Sequence, residues 1–563
     1  MSKPETAVHR TVHPMAMHST HKQLSTPEYR ALSADQRIDV IRAAEGKKKV
    51  DLILDAPDAE QLVPQLHPQE IYMTVYEVGT EYAAELMMLI SPEQLTTLLD
   101  LDCWDNDVLN EEIGLHWLQV ILETGEDKIC QTVHEIDLAL LALFLKKQIT
   151  ITRGPEAYDD DDAENANRLE GLYDIAYNSE LSQKIISALL GVLIKCEPSL
   201  YVQLLELVRG EMGSTLEEEI FQDRSRRLLD LGLMSLTEAR SLYSYVDPQT
   251  FRPRAEKQPF HLESDTLQSP VALLSQAQPE NLLAEILAAG LTHEQATELA
   301  MLANRKMCAD QVDLSDKMAV SESMAQMYQT LNLALESLAS GSVSEAEKLF
   351  KTCYLIELFQ YGHSLVESLK NAAGQLLAKD VALYLDAPYQ RFLTGLCQTP
   401  PKLCPGERLT RYQDKKPLQT VSDLTEASRI LQQITIQEQL FSGLLPFGLP
   451  SGENQPDGEL LPEDESLPTL SDLFLTALAN RLLGRNFLPT PLSAADVPQL
   501  YALICTDKQI APALHQDTCA FLDNLLPGGG QFGEFCLHIW QEEICPVDIA
   551  DIDPRFVRGL LFA

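Results

Sequence analysis

A chain of 563 residues is too long for one hydrophobic core and must divide into several domains. Its 84 acidic against 43 basic side chains give a net charge of −41. That sign argues against nucleic acid and against an anionic membrane surface, both of which are bound through Lys and Arg. A basic protein partner or a divalent cation fits it. The eleven cysteines are scattered without a CxxC pair, and residues 1–20 carry no apolar leader. Together these predict reduced thiols and a cytoplasmic protein. No uninterrupted apolar run approaches the roughly 20 residues that span a bilayer, so no membrane insertion is expected.

Residues 1–50 read as a flexible tail in which His9, His13, His18 and His21 lie among Ser, Thr and Pro. Nothing there fixes the geometry that a metal site needs. From 51 to 247 the pattern is helical. HPQE (His67–Glu70) and SPEQ (Ser91–Gln94) each place Pro at the first helical position with Glu or Gln two residues later. Ile71, Val75 and Val78 line one helix up to Gly79, and Leu95, Leu98 and Leu99 line the next after the cap at Ser91. Asn110 caps a third, with Glu111 and Glu112 in its first turn and Ile113, Trp117 and Ile121 as its stripe. Short helices of this kind cannot bury their own stripes and must pile on neighbours. The run Ile136–Leu145 reads as a buried helix. QITITR at Gln148–Arg153 and GLYDIAY at Gly171–Tyr177 alternate in the strand manner and predict a small β-hairpin inserted among helices. The loop between them carries Asp159–Asp162, a solvated charge run.

Residues 248–268 read as a linker, 269–445 as a middle helical domain, 446–468 as an acidic linker rich in Pro and Gly, and 469–563 as a C-terminal helical domain. Thr292 with Gln295 and Ser342 with Glu345 form capping boxes in the middle domain. The predicted class is therefore all-α, a stacked helical-repeat, superhelical architecture in two or three blocks, with a hairpin near 148–177.

Chemistry-bearing clusters are few. LLDLDCWDND places Asp100, Asp102, Asp105 and Asp107 within eight residues, a density of hard oxygen ligands that suits Mg²⁺ or Ca²⁺. The same residues suit a helix end and turn around a buried Trp104, and the handover between two helices favours that role. GGGQFG (Gly528–Gly533) has the GxGxxG spacing, but the preceding AFLDNLL is helical, whereas a dinucleotide loop follows a strand. His515, Cys519, Cys536, His538 and Cys545 fall within 31 residues with no established zinc spacing. Glu217–Glu219 with Arg224, Arg226 and Arg227 read as ion pairs on a wet helix face. No P-loop, HExxH or other catalytic motif is present, so no catalytic residue and no cofactor is assigned.

At SPEQLTTLLDLDCWDNDVLN (91–110), over Glu217–Tyr245, and at TLSDLFLTALANRLLGRNFLPTPLS (469–493), the chain resembles an uncharacterised bacterial family of unknown function. That resemblance covers most of the chain from about residue 50 and implies no activity or site residue. Residues 67–144 are also similar to the N-terminal helical domain of MgtE-type magnesium transporters and to the armadillo-like helices of the flagellar switch protein FliG. Those similarities imply cation sensing or partner docking. The expectation is a cytoplasmic helical scaffold or regulatory protein that binds another protein. The alternatives are a divalent-cation-responsive regulator acting through Asp100, Asp102, Asp105 and Asp107, and an enzyme with a site between helical blocks.

Overall fold

Helix starts dominate the sequence, and a computed structural model follows them closely. It describes residues 25–153, 172–252, 257, 281–403, 416–450, 467–549, 552 and 557–563. Two compact units result. The first is Met1–Ser244 with Phe251–Gln360, and the second is Tyr245–Thr250 with Tyr361–Ala563. The sequence had suggested breaks at 248–268 and 446–468 instead. Of the second stretch, 451–466 lie outside the described residues, as do the four N-terminal histidines and Asp159–Asp162.

The first unit opens with helices α1 (Thr26–Arg30), α2 (Ala34–Ala43), α3 (Gly46–Asp55) and α4 (Ala59–Leu62). Residues 26–50 are thus helical, which corrects the expected tail. Two short capping boxes carried the signal. Ser25 N donates to Glu28 Oε2 at 2.9 Å, and Gln36 N donates to Ser33 Oγ at 3.3 Å. Ile38, Ile41, Val50 and Ile53 then bury the inner face. Next come α5 (Pro68–Val78), α6 (Ala84–Met87), α7 (Pro92–Asp102), α8 (Glu111–Glu123), α9 (Glu126–Glu135) and α10 (Leu138–Gln148). Pro68 and Pro92 sit in the first turn as predicted, with His67, Ser91 and Asn110 as side-chain caps. Gly79, at φ +87°, ends α5 in a conformation that side chains disfavour.

The expected hairpin is present. Strands β1 (Trp104–Asp105) and β2 (Val108–Leu109) form a smaller one upstream, and β3 (Ile149–Arg153) pairs antiparallel with β4 (Tyr173–Tyr177), Ile149 opposite Tyr177. The unit continues through α11 (Glu180–Cys196), α12 (Pro198–Gly210), α13 (Gly213–Asp230), α14 (Leu236–Ala239), α15 (Asn281–Ala288), α16 (His293–Asp310), α17 (Lys317–Ala339) and α18 (Val343–Thr352). Helix α19 (Leu355–Leu377) carries the chain into the second unit. There follow α20 (Ala387–Leu396), α21 (Val421–Gln439), α22 (Leu470–Leu482), α23 (Val497–Ile504), α24 (Pro512–Leu525) and α25 (Gly530–Glu543), with two further antiparallel pairs of two-residue strands between α20 and α21 and between α23 and α24. The protein is therefore mainly helical with small antiparallel hairpins.

Each unit contains a helix that is buried on nearly all sides, the position of a core helix. In the first it is α10, buried without a break from Leu140 to Leu145. Neighbours come so close that a Cβ added at Gly114 of α8 would lie 2.5 Å from Phe144. In the second unit it is α22, where every residue from Leu470 to Asn480 is buried. Phe474 on α22 stands among Phe487 and Phe532, with ring centroids 6.1 and 5.6 Å away.

A fully buried helix must satisfy any polar side chain it carries. On α22 three of those residues, Asp472, Thr476 and Asn480, recur every four positions and so share one face. Asp472 Oδ1 accepts from Gly559 N at 2.8 Å, Thr476 Oγ1 accepts from Leu561 N at 2.9 Å, and Asn480 Nδ2 donates to the carbonyls of Leu488 (3.1 Å) and Thr490 (2.8 Å). This stripe fastens the C-terminal segment, whose Leu561 carbonyl in turn accepts from Leu492 N at 2.8 Å. Gly559 sits at φ +81°, and a Cβ there would meet Leu475 at 2.8 Å. Replacing Thr476 with Val leaves the Leu561 N–H without its acceptor. It should lower unfolding stability by about 1–3 kcal/mol, and Gly559→Ala by a similar amount. Urea unfolding followed by circular dichroism checks both values.

Candidate functional site

The richest polar cluster of the first unit forms where α7 ends. Ser91 starts that helix by accepting from Gln94 N at 3.1 Å. Gln94 then turns its amide onto the carbonyls of Val63 and Leu66, both at 2.8 Å. The C-terminal turn delivers Asp100 and Asp102 inward. Cys103 closes it, and the β1–β2 hairpin follows, with Asn106 at φ +60° in its turn. Asn110 then caps α8 by accepting from Glu112 N and Ile113 N, each at 3.1 Å.

The four predicted carboxylates do not converge. The Asp100 side chain is fully buried and takes both ends of one guanidinium: Arg227 Nε reaches Oδ2 at 2.7 Å and Nη2 reaches Oδ1 at 2.9 Å. This is the bidentate fork that favours Arg. Arg224 Nε donates to the Asp100 carbonyl at 2.7 Å, and its guanidinium lies 5.3 Å from the Trp104 ring centroid. Asp102 faces the other way and accepts from three aromatic donors: Trp117 Nε1 at 2.6 Å, Tyr72 Oη at 3.3 Å, and Tyr76 Oη. Asp105 accepts from Asn110 Nδ2 at 2.8 Å, and Asp107 is exposed on the hairpin turn. Among the described residues no group of three His, Cys, Asp or Glu side chains stands together as a metal site. Of the aspartates, two are locked inward to different partners and two belong to the hairpin.

Electrostatics follow from burial. Burial raises the Cys103 thiol well above its ordinary range and lowers Arg224. Burial raises Tyr72 and Tyr76 as well, with the Asp102 charge adding to it. Phenols held protonated in this way act as donors, and Asp102 is what they donate to. The cluster is a lock in which Asp100 and Asp102 tie α5, α7, α8 and α13 together.

The other sequence candidates are dispersed as well. Glu217 accepts from Leu109 N at 2.9 Å and pairs with Lys147 at 2.9 Å, while Arg226 pairs with Asp223. The acid–base row on α13 thus splits between its wet face and the interior. Among the five His and Cys positions, Cys545 is disulfide-bonded to Cys505, Cys536 is fully buried, His538 pairs with Glu542 at 3.1 Å and His515 is exposed. A second disulfide joins Cys130 and Cys196. The expectation of reduced thiols is overturned for these four residues, because partners 66 and 40 positions apart leave no local sequence signal. GGGQFG is a tight helical hairpin. Gly529 caps α25, Asp523 Oδ1 accepts from Gly530 N at 2.8 Å, and a Cβ at Gly529 would strike the Leu522 carbonyl at 2.7 Å.

Sequence reasoning missed a second buried cluster. Asp386 precedes α20, and its carboxylate accepts from Ser471 Oγ at 2.5 Å and Ser471 N at 3.3 Å at the start of α22. Asp472 beside it accepts from Thr469 N at 2.9 Å. The T-x-x-D capping box at Thr469–Asp472 stands in the sequence but was not singled out there, and Asp386, 85 residues before Ser471, gave no local signal. Burial pushes the Asp386 carboxyl up to about 7, with the nearby Asp472 charge adding to it and the Ser471 hydroxyl opposing it.

The clefts lie elsewhere. One is lined by Met87, Ile90, Ser91, Leu95, Ile121, Thr124, Lys128 and Thr132, and a surface depression is lined by Lys47, Val78, Gly79, Thr80, Glu81 and Tyr82. Among the described residues no helix is long and apolar enough to cross a membrane.

With this geometry in place, comparison with known families becomes informative. The model of a family of unknown function, DUF6178, matches residues 26–563. The chain belongs to that family. The likeness read at 91–110, 217–245 and 469–493 to a family of unknown function is thereby borne out. No curated protein and no solved structure matches the chain, so the similarity of residues 67–144 to the MgtE-type domain gains no support there. The family supplies no catalytic residue, which leaves the buried locks to be tested as structure.

Removing Arg227 strands a buried carboxylate. Arg227→Ala should cost about 3 kcal/mol or more of stability, whereas Asp105→Asn and Asp107→Asn, both exposed, should each stay within about 0.5 kcal/mol. Denaturant midpoints decide between a lock and an open acidic site. Asp386 gives a separate test through pH. Its folded carboxyl titrates near 7, above the roughly 3.9 of an unfolded Asp. The native state therefore binds the extra proton. Its contribution is fully present below about pH 4 and is lost as pH rises toward 7, with a slope of at most about 1.4 kcal/mol per pH unit. Asp386→Asn should flatten stability across that window.

Proposed function

We propose that this protein is a helical scaffold or regulator that works by holding another protein, whose basic segment meets an acidic surface set with exposed apolar side chains. The observation that carries the reading is the outward side of α13 and the turn before it. At the turn before α13 Met212 is 70% exposed beside the exposed Glu211, and at the far end of the helix Leu229 is 48% exposed beside the exposed Asp230, with Glu218, Glu219 and Arg226 exposed between them. Apolar side chains at a surface supply burial on association. Acid of one sign steers a basic partner into place and fixes orientation more than it adds affinity. The net charge of −41 extends that field over the whole chain. The cytoplasm stays part of the proposal only, resting on the sequence expectation and not on the cysteines that are paired here. The scaffold reading draws no support from Asp100 and Asp102, whose carboxylates are engaged internally, and for that reason it ranks above the cation-responsive alternative.

Affinity purification of the full chain from its native cells, with mass spectrometry, tests the proposal. The expected result is a stoichiometric partner rich in Lys and Arg, retained at low salt and released as ionic strength rises. Met212→Glu and Leu229→Glu should each abolish that retention without changing the thermal midpoint. Turnover of a small molecule by the purified chain, or retention unchanged by salt and by both substitutions, would overturn it.

A further inference from the structure

Helix α9 is held to its unit by little apolar burial. It buries only Ile129, Thr132 and Val133. Its remaining ties run mostly to the end of α11. Lys195 Nζ lies 3.3 Å from Glu126 Oε1, with both side chains about two-thirds exposed, and His134 Nε2 lies 2.7 Å from Glu197 Oε1. Solvated pairs of this kind contribute little. A further tie is covalent: Cys130 in the middle of α9 is bonded to Cys196, the last residue of α11, with their Cα atoms 6.2 Å apart. That separation is one a disulfide spans readily.

What α9 covers gives the bond a consequence. Lys128 and Thr132 form one wall of the cleft whose other walls are Met87, Ile90, Leu95 and Ile121. Lys128 reaches across it, its Nζ donating to the Ile90 carbonyl at 2.8 Å. The two sulfurs also differ in setting from those of the second pair. Cys130 and Cys196 are each partly exposed, whereas in the second pair Cys505 is partly exposed and Cys545 is fully buried. Thiol–disulfide exchange requires a thiolate to reach a sulfur, so the first pair offers two sulfurs to attack where the second offers one.

We infer that Cys130–Cys196 is a thiol–disulfide switch that latches α9 over this apolar cleft. In the opening direction a dithiol reductant of the thioredoxin class supplies the electrons. Its thiolate attacks one sulfur, the Cys130–Cys196 bond breaks, and the other cysteine leaves as a thiolate and takes up a proton. The second thiol of the reductant then attacks the mixed disulfide and releases the first cysteine. The reductant departs as a disulfide, and two electrons and two protons have passed to the protein. A low-molecular-weight disulfide such as glutathione disulfide closes the latch by the reverse exchange. With the latch open, α9 is free to lift from Ile90 and Ile121.

The full-length chain is incubated with glutathione disulfide or with dithiothreitol, quenched in acid, and read by differential alkylation and by hydrogen exchange of residues 126–135. The oxidised chain should yield a cross-linked Cys130–Cys196 peptide. Reduction should speed exchange across α9 about tenfold or more while leaving α10 unchanged, as expected of a local opening. Cys130→Ser and Cys196→Ser should each exchange at the reduced rate under both conditions. The inference fails if both cysteines remain alkylatable after glutathione disulfide, or if α9 exchanges equally in the oxidised and reduced wild-type chain. The wild-type comparison needs no variant to fold.

Discussion

A polar group carried into a dry interior must find a partner there, and in this protein the partner is usually far away in sequence. Amphipathic helices of similar length can pile up in many registers, because burial of a Leu is nearly indifferent to which Leu it meets. Hydrogen bonds are not indifferent, since an unmatched buried donor or acceptor costs its full desolvation. Asp100 with Arg227 across 127 positions, Asp102 with Trp117 and Tyr72, and Gln69 with Asn304 across 235 positions at 3.1 Å are contacts that only one arrangement satisfies. Asn304 extends the last of these by donating to the Leu231 carbonyl at 2.6 Å. Together they select one packing from the many that apolar contact alone would allow.

The two units solve this problem differently. In the first, the buried helix α10 keeps its polar groups at its ends. Lys146 caps the Val208 carbonyl at 2.5 Å and Gln148 the Glu111 carbonyl at 3.1 Å, so its middle stays apolar. In the second, α22 carries its polar residues through the buried middle as a stripe, and that stripe receives the backbone N–H groups of Gly559, in a turn, and Leu561, in the extended segment after it. Extended segments bring unpaired N–H and C=O groups that need such acceptors and donors. The C-terminal segment is therefore part of the core of its unit, with Leu560 and Leu561 buried behind it.

Local signals were legible in the chain and distant ones were not. Pro68, Ser91, Asn110 and the Thr469–Asp472 box announce helix starts through chemistry confined to four residues. The β3–β4 hairpin showed in the period-two alternation of QITITR and GLYDIAY. The first helices were hidden because they follow directly on a stretch of Ser, Thr, His and Pro that reads as a tail, although Ser33 and Gln36 already formed a cap. The acidic run at 100–107 illustrates the limit most clearly. Four carboxylates within eight residues look like one site, but the helix turns Asp100 toward Arg227 and Asp102 toward Trp117. Which side of a turn each side chain leaves from depends on packing that no local pattern encodes. The disulfide pairs are illegible for the same reason. For function, the outward acidity was plain from composition, while the apolar residues set within it required the fold.

If distant polar contacts specify the packing, their partners must be energetically coupled rather than merely adjacent. The direct measurement is a double-mutant cycle on Asp100→Ala and Arg227→Ala, read from urea unfolding of the full chain. The account predicts a coupling energy of about 2 kcal/mol or more, with the double variant no less stable than Arg227→Ala alone. Additive losses, with coupling below about 0.5 kcal/mol, would contradict it and leave apolar packing as the sole determinant of the arrangement.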